Sequence, residues 1–283
     1  MTAIPESNHH AHCANEYDPL KRVILCQPNY MSIREMGNKP VSKTTKKGID
    51  LEKAIQQHEQ FVKTLKDNGV EVNLLPHHKK YPEQVYTRDI GFTLGQTIFV
   101  AKIASPKRRG EENILKQWLD DEEISYYVLA KDHIEGGDVL IDRENIFVGL
   151  SGRTHQQAIN HLQSLLTQYK IKSIPFHERF LHLDCVLNII ARDVAILYPP
   201  ALTKEDITFL STMYRLIEVT DEEQRMLGTN VLNIGNNKII SLPENENVNN
   251  LLQRFGYQVI EVEFSEIVKA GGSFRCCTLP ILR

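Results

Sequence analysis

The sequence predicts an α/β protein built as a ring of five repeated strand–strand–helix–strand units, and three observations point there. Short strand-like runs come in pairs, each pair followed by a helical pattern. The segments TRDIGF, GGDVLI, HLDCVL, GTNVLN and FRCCTL each carry a polar residue into strand-like sequence; Asp89, Asp138, Asp184, Asn230 and Cys276 follow one another at separations of 49, 46, 46 and 46 residues. A constant period in the forties marks a repeated supersecondary unit. The last strand-like run, CCTLPILR, has no helix behind it, whereas the N-terminal part holds a strand and a helix without their repeat. A fifth unit made from both ends closes the ring and leaves no raw sheet edge. An open sheet also alternates strands and helices, but the even spacing and the split unit favour the ring.

The elements follow in order. Arg22, Val23, Ile24, Leu25 and Cys26 form a strand; Leu51, Ala54, Ile55, Phe61, Val62 and Leu65 form a helix closed by Gly69. The first strand pair covers 91–103, with Ile114, Leu115, Trp118 and Leu119 at helical spacing behind it. The second covers 139–149; Thr154 and Gln157 make a capping box ahead of the apolar face Ala158, Ile159, Leu162, Leu165 and Leu166. The third covers 185–198, followed by Thr203 with Asp206 and a short helix. The fourth covers 231–242, followed by Val248, Leu251, Leu252 and Phe255, stopped at Gly256.

The 283 residues are 41% hydrophobic and 24% charged, and are read as one catalytic domain over 1–283. Lys plus Arg number 33 against 36 for Asp plus Glu, giving no electrostatic reason to expect nucleic acid. No apolar run approaches the roughly 18–20 residues of a membrane helix, and no signal segment opens the chain. Five cysteines, two of them adjacent, are not a disulfide framework. A cytoplasmic protein with reduced thiols is expected, and a homo-oligomer is compatible with this composition.

In a ring, equivalent strand starts point to one axis, so Asp89, Asp138, Asp184, Asn230 and Cys276 become neighbours around a common cavity. Cys276 follows two glycines in Gly271-Gly272-Ser273-Phe274-Arg275-Cys276, which allow close backbone approach; a free cysteine is otherwise more often a small buried hydrophobe. His182 stands two residues before Asp184, on one face if the segment is a strand. With a distant Cys brought to the same axis, they form a Cys–His arrangement. Glu135, in Ile134-Glu135-Gly136-Gly137-Asp138, either orients that histidine or is a solvated loop acid.

Thr87-Arg88-Asp89, Glu135-Gly136-Gly137-Asp138, His182-Leu183-Asp184 and Gly271-Gly272-Ser273-Phe274-Arg275-Cys276, taken together and in order over nearly the whole chain, resemble the guanidino-group modifying (pentein) superfamily. It contains arginine and agmatine deiminases, dimethylarginine dimethylaminohydrolases and amidinotransferases. The resemblance implies a five-bladed α/β propeller, a small-molecule guanidino substrate, and neither metal nor organic cofactor. It also implies Cys276 as nucleophile in preference to Cys277, His182 as general acid and base, Glu135 as its partner, and Asp89 as a guanidinium-binding carboxylate. Asp184 resembles the acid found in deiminases and transferases. Such chemistry suits these side chains: carboxylates grip the N–H groups of a planar cation and hold its central carbon against a thiolate.

Length and layout most resemble the dimethylarginine dimethylaminohydrolases. Arg153 in Gly149–Thr154 and Arg108 in Ser105–Arg109 look like their carboxylate-binding arginines, and Glu83 falls where that group places an acid near the substrate ammonium. Taken singly, each arginine is as readily a solvated surface residue. Asp184 is a departure, because a dimethylated nitrogen has no N–H for it. The expectation is hydrolysis of dimethyl- or monomethylarginine to citrulline through a covalent adduct on Cys276. Deiminase-like or amidinotransferase activity on an unmethylated guanidine is the alternative, and a non-catalytic binding protein a minor one. His9, His10, His12 and Cys13 could bind zinc but more simply belong to a polar tail; the basic stretch 39–47 reads as a loop over the cavity mouth.

Overall fold

In the computed structural model, which describes residues 11–32 and 48–283, the strands fall into five three-stranded sheets of one design. In the first unit Gly91–Leu94 pairs antiparallel with Thr97–Val100; the helix Glu111–Asp121 crosses over, and Tyr126–Val128 returns parallel to the second strand. The second unit repeats this with Val139–Asp142, Asn145–Leu150, helix Gln156–Leu165 and Lys170–Pro175. The third uses Leu187–Ala191, Val194–Leu197, helix Lys204–Ser211 and Arg215–Glu218. The fourth uses Leu232–Gly235, Lys238–Ser241, helix Glu246–Arg254 and Gln258–Glu261. The fifth takes its first strand, Leu279–Leu282, from the C-terminal end and the remainder, Arg22–Cys26, helix Leu51–Asp67 and Glu71–Leu75, from the N-terminal part.

Local chemistry accounts for these elements. The fourth hairpin turns on Asn236 and Asn237, both at positive φ, the requirement of a two-residue loop matching strand twist. Thr203 caps its helix by accepting from the Asp206 N–H, as predicted. The predicted capping box at Thr154 and Gln157 does not form. The helix begins at Gln156 behind His155, and the Thr154 hydroxyl instead accepts the backbone N–H of Glu135 at 3.1 Å.

Burial is graded from the inside outward. The first two strands of the first two units are almost wholly buried, so they read as continuous apolar runs, whereas the third strands are mostly half-buried or exposed. Neighbouring units are stitched through their first strands: Thr93 donates to Pro280 O, Asn188 to Val231 O, and Arg283 to Asn233 O. The N-terminal segment is not a loose tail from residue 11 onward. It bridges Leu282, Gly95 and Asp142 through His12, Cys13 and Asn15, and Leu20 N donates to Ile234 O. Cys13 is buried and His12 exposed; His9, His10 and the stretch 39–47 lie outside the described residues. Among the described residues no helix is long and apolar enough to cross a membrane.

The split unit yields a test. Ending the chain after Thr278 removes Leu279 and Ile281, both fully buried, and strips the inner strand from the fifth sheet. Burying each of two such side chains is worth about 1.5–3 kcal/mol, so urea unfolding followed by circular dichroism should show the cooperative transition lost or its midpoint sharply lowered. An unchanged midpoint would contradict the assignment.

Candidate active site

The repeated polar residues sit on short turns just before the first strands. Thr87–Ile90, Gly136–Asp138 and Leu183–Cys185 are single 3₁₀ turns, so His182 and Asp184 do not share a strand face as the spacing suggested. The turns crowd one another. A side chain on Gly136 would lie 2.2 Å from the carbonyl oxygens of Arg88 and Gly91, and one on Gly137 would lie 2.8 Å from Asp89 Oδ1 and the His182 ring. Gly272 serves the Cys276 turn likewise, lying against the Tyr86 ring where a Cβ would approach to 2.3 Å.

His182 is the centre of the buried charge. Its Nε2 lies 2.7 Å from Glu135 Oε2 and its Nδ1 3.3 Å from Asp89 Oδ1. Burial alone would lower the imidazole pKa, but Asp89, Glu135 and Asp138 outweigh it and hold the ring protonated up to about 10. Burial would likewise raise Glu135, and the His182 contact with the charges of Arg153 and Arg108 reverses this, taking it down to about 2. Glu135 Oε1 also accepts the Ala104 N–H at 2.9 Å and stands 3.5 Å from Arg153 Nη1. Glu135 is therefore an oriented partner of the histidine, not a solvated loop acid.

Asp184 and Cys276 meet from opposite ends of the chain. The Cys276 sulfur lies 3.7 Å from both Asp184 oxygens, and Arg275 Nε stands 3.5 Å from Asp184 Oδ2. Burial pushes the Asp184 carboxyl up against the pull of Arg275 and His182. Asp138 and Asn230 do not offer their side chains to a ligand as the repeat suggested. Asp138 accepts from Leu183 N at 2.8 Å and Ser151 Oγ at 2.7 Å. Asn230 donates to Asp184 O at 2.9 Å and accepts from Cys276 N at 3.1 Å. Both brace one turn against the next.

Arg108 is wholly buried and donates to Asp89, to Glu111 at 2.7 Å and to Tyr86 O at 3.2 Å, with Glu83 at 3.8 Å. The two arginines expected to await a carboxylate thus differ: Arg108 is spent on carboxylates of the chain together with Glu83, while Arg153 is partly exposed above Glu135. Arg109 lines a cavity of about 400 Å³ with Lys102, Ile103, Glu112 and His133. Among the described residues, two donor groups could geometrically meet a metal, Asp89–Glu135–His182 and Asp184–Cys185–Cys276. In the first, a protonated imidazole between two carboxylates has no lone pair to give.

The sequence reading passed over Glu16. It accepts from Arg275 at 2.5 and 3.1 Å and from Ile141 N at 3.2 Å, with Arg88 at 3.7 Å. Burial would raise its carboxyl, but Arg275 and Arg88 hold it down at about 2. No local motif announces it; the only signal is an acid inside an otherwise polar N-terminal run.

The sequence profile described as N,N dimethylarginine dimethylhydrolase, eukaryotic, matches residues 27–283. The chain belongs to this family. It lies within the guanidino-group modifying superfamily that its motifs resemble. An uncharacterized protein, YkgA of Bacillus subtilis, is 45% identical over 99% of this chain and 98% of its own length. The bifunctional arginine dihydrolase/ornithine cyclodeaminase ArgZ of Synechocystis is 26% identical over 92% of this chain, which spans only 37% of that protein. Among solved structures, SxtG, an amidinotransferase from Microseira wollei, superposes with a TM-score of 0.84 at 19% identity, covering 96% of this chain and 97% of its own, a likeness of fold. Membership of the family makes this chain an enzyme acting on guanidino C–N bonds.

Two outcomes are expected. Glu16→Ala leaves Arg275 buried without its bidentate partner, so stability should fall by about 3–5 kcal/mol in urea titration; a loss below about 1 kcal/mol would contradict the network. His182 has a folded pKa above its usual value of 6.5, so its charge contributes stability that is full below 6.5 and disappears as pH rises toward 10. The unfolding midpoint of the wild type, compared with His182→Asn, should converge on the variant's across that window; parallel curves would contradict the assignment.

Proposed function

We propose that this protein is a cysteine-dependent hydrolase of an unmethylated guanidino group on an arginine-type substrate, its five sheets forming the blades of a propeller around the site. The observation that carries this is Asp184. Among the described residues its buried carboxylate has two thiols and the Arg275 Nε at 3.5 Å, poorly aligned, for company, and accepts no well-formed N–H hydrogen bond. A guanidinium with free N–H groups satisfies it by charge-assisted hydrogen bonds, whereas a dimethylated nitrogen would leave it bare.

The chemistry follows from the side chains. Asp89 and Asp184 grip the cation, Asp89 sharing or exchanging the guanidinium of Arg108 for that of the substrate. The Cys276 thiolate attacks the central carbon and forms a tetrahedral adduct. His182, already protonated, gives its proton to the departing amine, and the C–N bond breaks to leave an amidino-thioether. Loss of that proton leaves the imidazole neutral between Glu135 and Asp89. It then takes a proton from water, the hydroxide adds to the same carbon, and the thiolate leaves. With arginine the products are citrulline and ammonia. Arg153, partly exposed beside Glu135, is a cation available to a substrate carboxylate.

Dimethylarginine hydrolysis is the second reading, favoured by the family profile over residues 27–283. Parallel incubation with arginine, dimethylarginine and agmatine separates them: citrulline from arginine exceeding that from dimethylarginine supports the first reading, and the reverse overturns it. Ornithine release that requires an added amine acceptor would indicate transfer in place of hydrolysis. Asp184→Asn should lower kcat/KM for arginine about 10–100-fold, one charged hydrogen bond being worth about 1.5–3 kcal/mol. Cys276→Ser should abolish turnover and Cys277→Ser spare it.

A further inference from the structure

Cys185 stands one residue beyond Asp184 and takes no part in the reaction above. Its sulfur, the Cys276 sulfur and an Asp184 carboxylate oxygen all lie within 4.8 Å of one another. Asp184 Oδ1 is 3.6 Å from the Cys185 sulfur and 3.7 Å from that of Cys276. The two thiols belong to turns 91 residues apart in sequence, and the backbone under each is fixed. Asn230 clamps Asp184 O and Cys276 N together with one amide. Gln224 and Thr229 both donate to Cys185 O at 2.7 Å, and Cys185 N donates to His182 O at 3.1 Å. A cysteine needed only to fill space gains nothing from being held at the nucleophile's sulfur.

We propose that Cys185 is a resolving thiol for Cys276: a hydroperoxide oxidises Cys276, and Cys185 closes an intramolecular disulfide that shuts the site reversibly. The inference rests on Cys276 being the reactive thiol of the proposed function. In the first step the Cys276 thiolate attacks the peroxide O–O bond. Its sulfur becomes a sulfenic acid, and the oxygen that leaves takes a proton to become an alcohol or, from hydrogen peroxide, water. In the second, the Cys185 sulfur attacks that of Cys276. The S–O bond breaks, the hydroxyl leaves as water with the Cys185 proton, and the S–S bond forms. Two thiols and one hydroperoxide thus give one disulfide, one water and one alcohol or second water. The sulfurs must close from their present separation to about 2.05 Å. Contact with Cys276, burial and the Asp184 charge all push the Cys185 thiol well above its usual range. Oxidation begins at Cys276, the reactive thiol of the proposed function, and Cys185 remains a thiol until the sulfenic acid is present. Capture of that acid protects Cys276 from irreversible sulfinic oxidation.

The test reads mass, not activity, so it fails or succeeds independently of the substrate assignment. The full chain is treated with a small excess of hydrogen peroxide, alkylated and digested with trypsin without reductant. Cys185 lies in the fragment 180–192 and Cys276, with Cys277, in 276–283. Expected is a disulfide joining the two fragments, loss of two of the five thiols, and full recovery with dithiothreitol. Cys277→Ser should keep the cross-link. In Cys185→Ser, Cys276 should gain two oxygens that dithiothreitol does not remove; Cys185→Ala, checked by circular dichroism, serves if the serine variant misfolds. A wild type in which Cys276 goes to the sulfinic acid while Cys185 stays free would overturn the proposal, as would a cross-link lost in Cys277→Ser.

Discussion

The dry meeting point of the turns is the constraint on which this structure depends. Turns separated by 46–49 residues come so close that glycine is required at Gly136, Gly137 and Gly272. Water is largely excluded there, so the polar groups carried inward are answered by others, within the unit or from a different one. Asp138 is answered by Leu183 N and Ser151, Asn230 by Asp184 O and Cys276 N, Glu16 by Arg275, and Asp89 by Arg108 and His182. The bonds that close the fold are therefore also the bonds that orient the site. A buried ion pair adds little net stability by itself, but removing one partner is costly, and this ties the position of the sulfur to elements far from it in sequence.

Out of that constraint comes an electrostatic arrangement matched to a cation. Asp89, Glu135 and Asp184 bring three carboxylates into a small volume, opposed among the described residues by His182, Arg108, Arg275, Arg153 and Arg88. The protonated imidazole is a consequence of that excess. In the proposed reaction a guanidinium entering beside Asp89 would set a second positive charge against the ring and ease proton loss from His182. On that proposal one histidine would donate a proton early and accept one late because the ligand's charge arrives and then departs. Asp184 responds in the opposite sense: burial disfavours its charge until a cation arrives.

The periodic part of this design was legible in the sequence. Paired apolar runs, a constant period and an unpaired final strand gave five units and a fifth sheet drawn from both ends, because β-pairing and helix amphipathicity leave a local pattern. Cys276 and Glu135 were visible through motifs whose glycines mark close backbone approach, and His182 and Asp184 through their two-residue spacing. What escaped were matters of three-dimensional satisfaction. Nothing local distinguishes Asp138, whose oxygens are both spent on bracing, from Asp184, whose oxygens are not. Arg108 gave no local sign that Asp89 and Glu111 would claim it. Thr154 had the spacing of a helix cap, yet the Glu135 N–H took its hydroxyl, a tertiary bond winning over a local one. Glu16 sat in a run that composition marks as a tail, and its partner Arg275 lies 259 residues away.

Acid-quenched mass spectrometry of the protein mixed with arginine tests the central claim most directly, since the proposed reaction runs through the Cys276 sulfur. Within the first turnovers the fragment holding Cys276 should carry the mass of an amidino group bearing the substrate side chain, and the adduct should persist in Cys277→Ser. An adduct located on Cys277 or Cys185, or product formed with no covalent species on the chain, would contradict it.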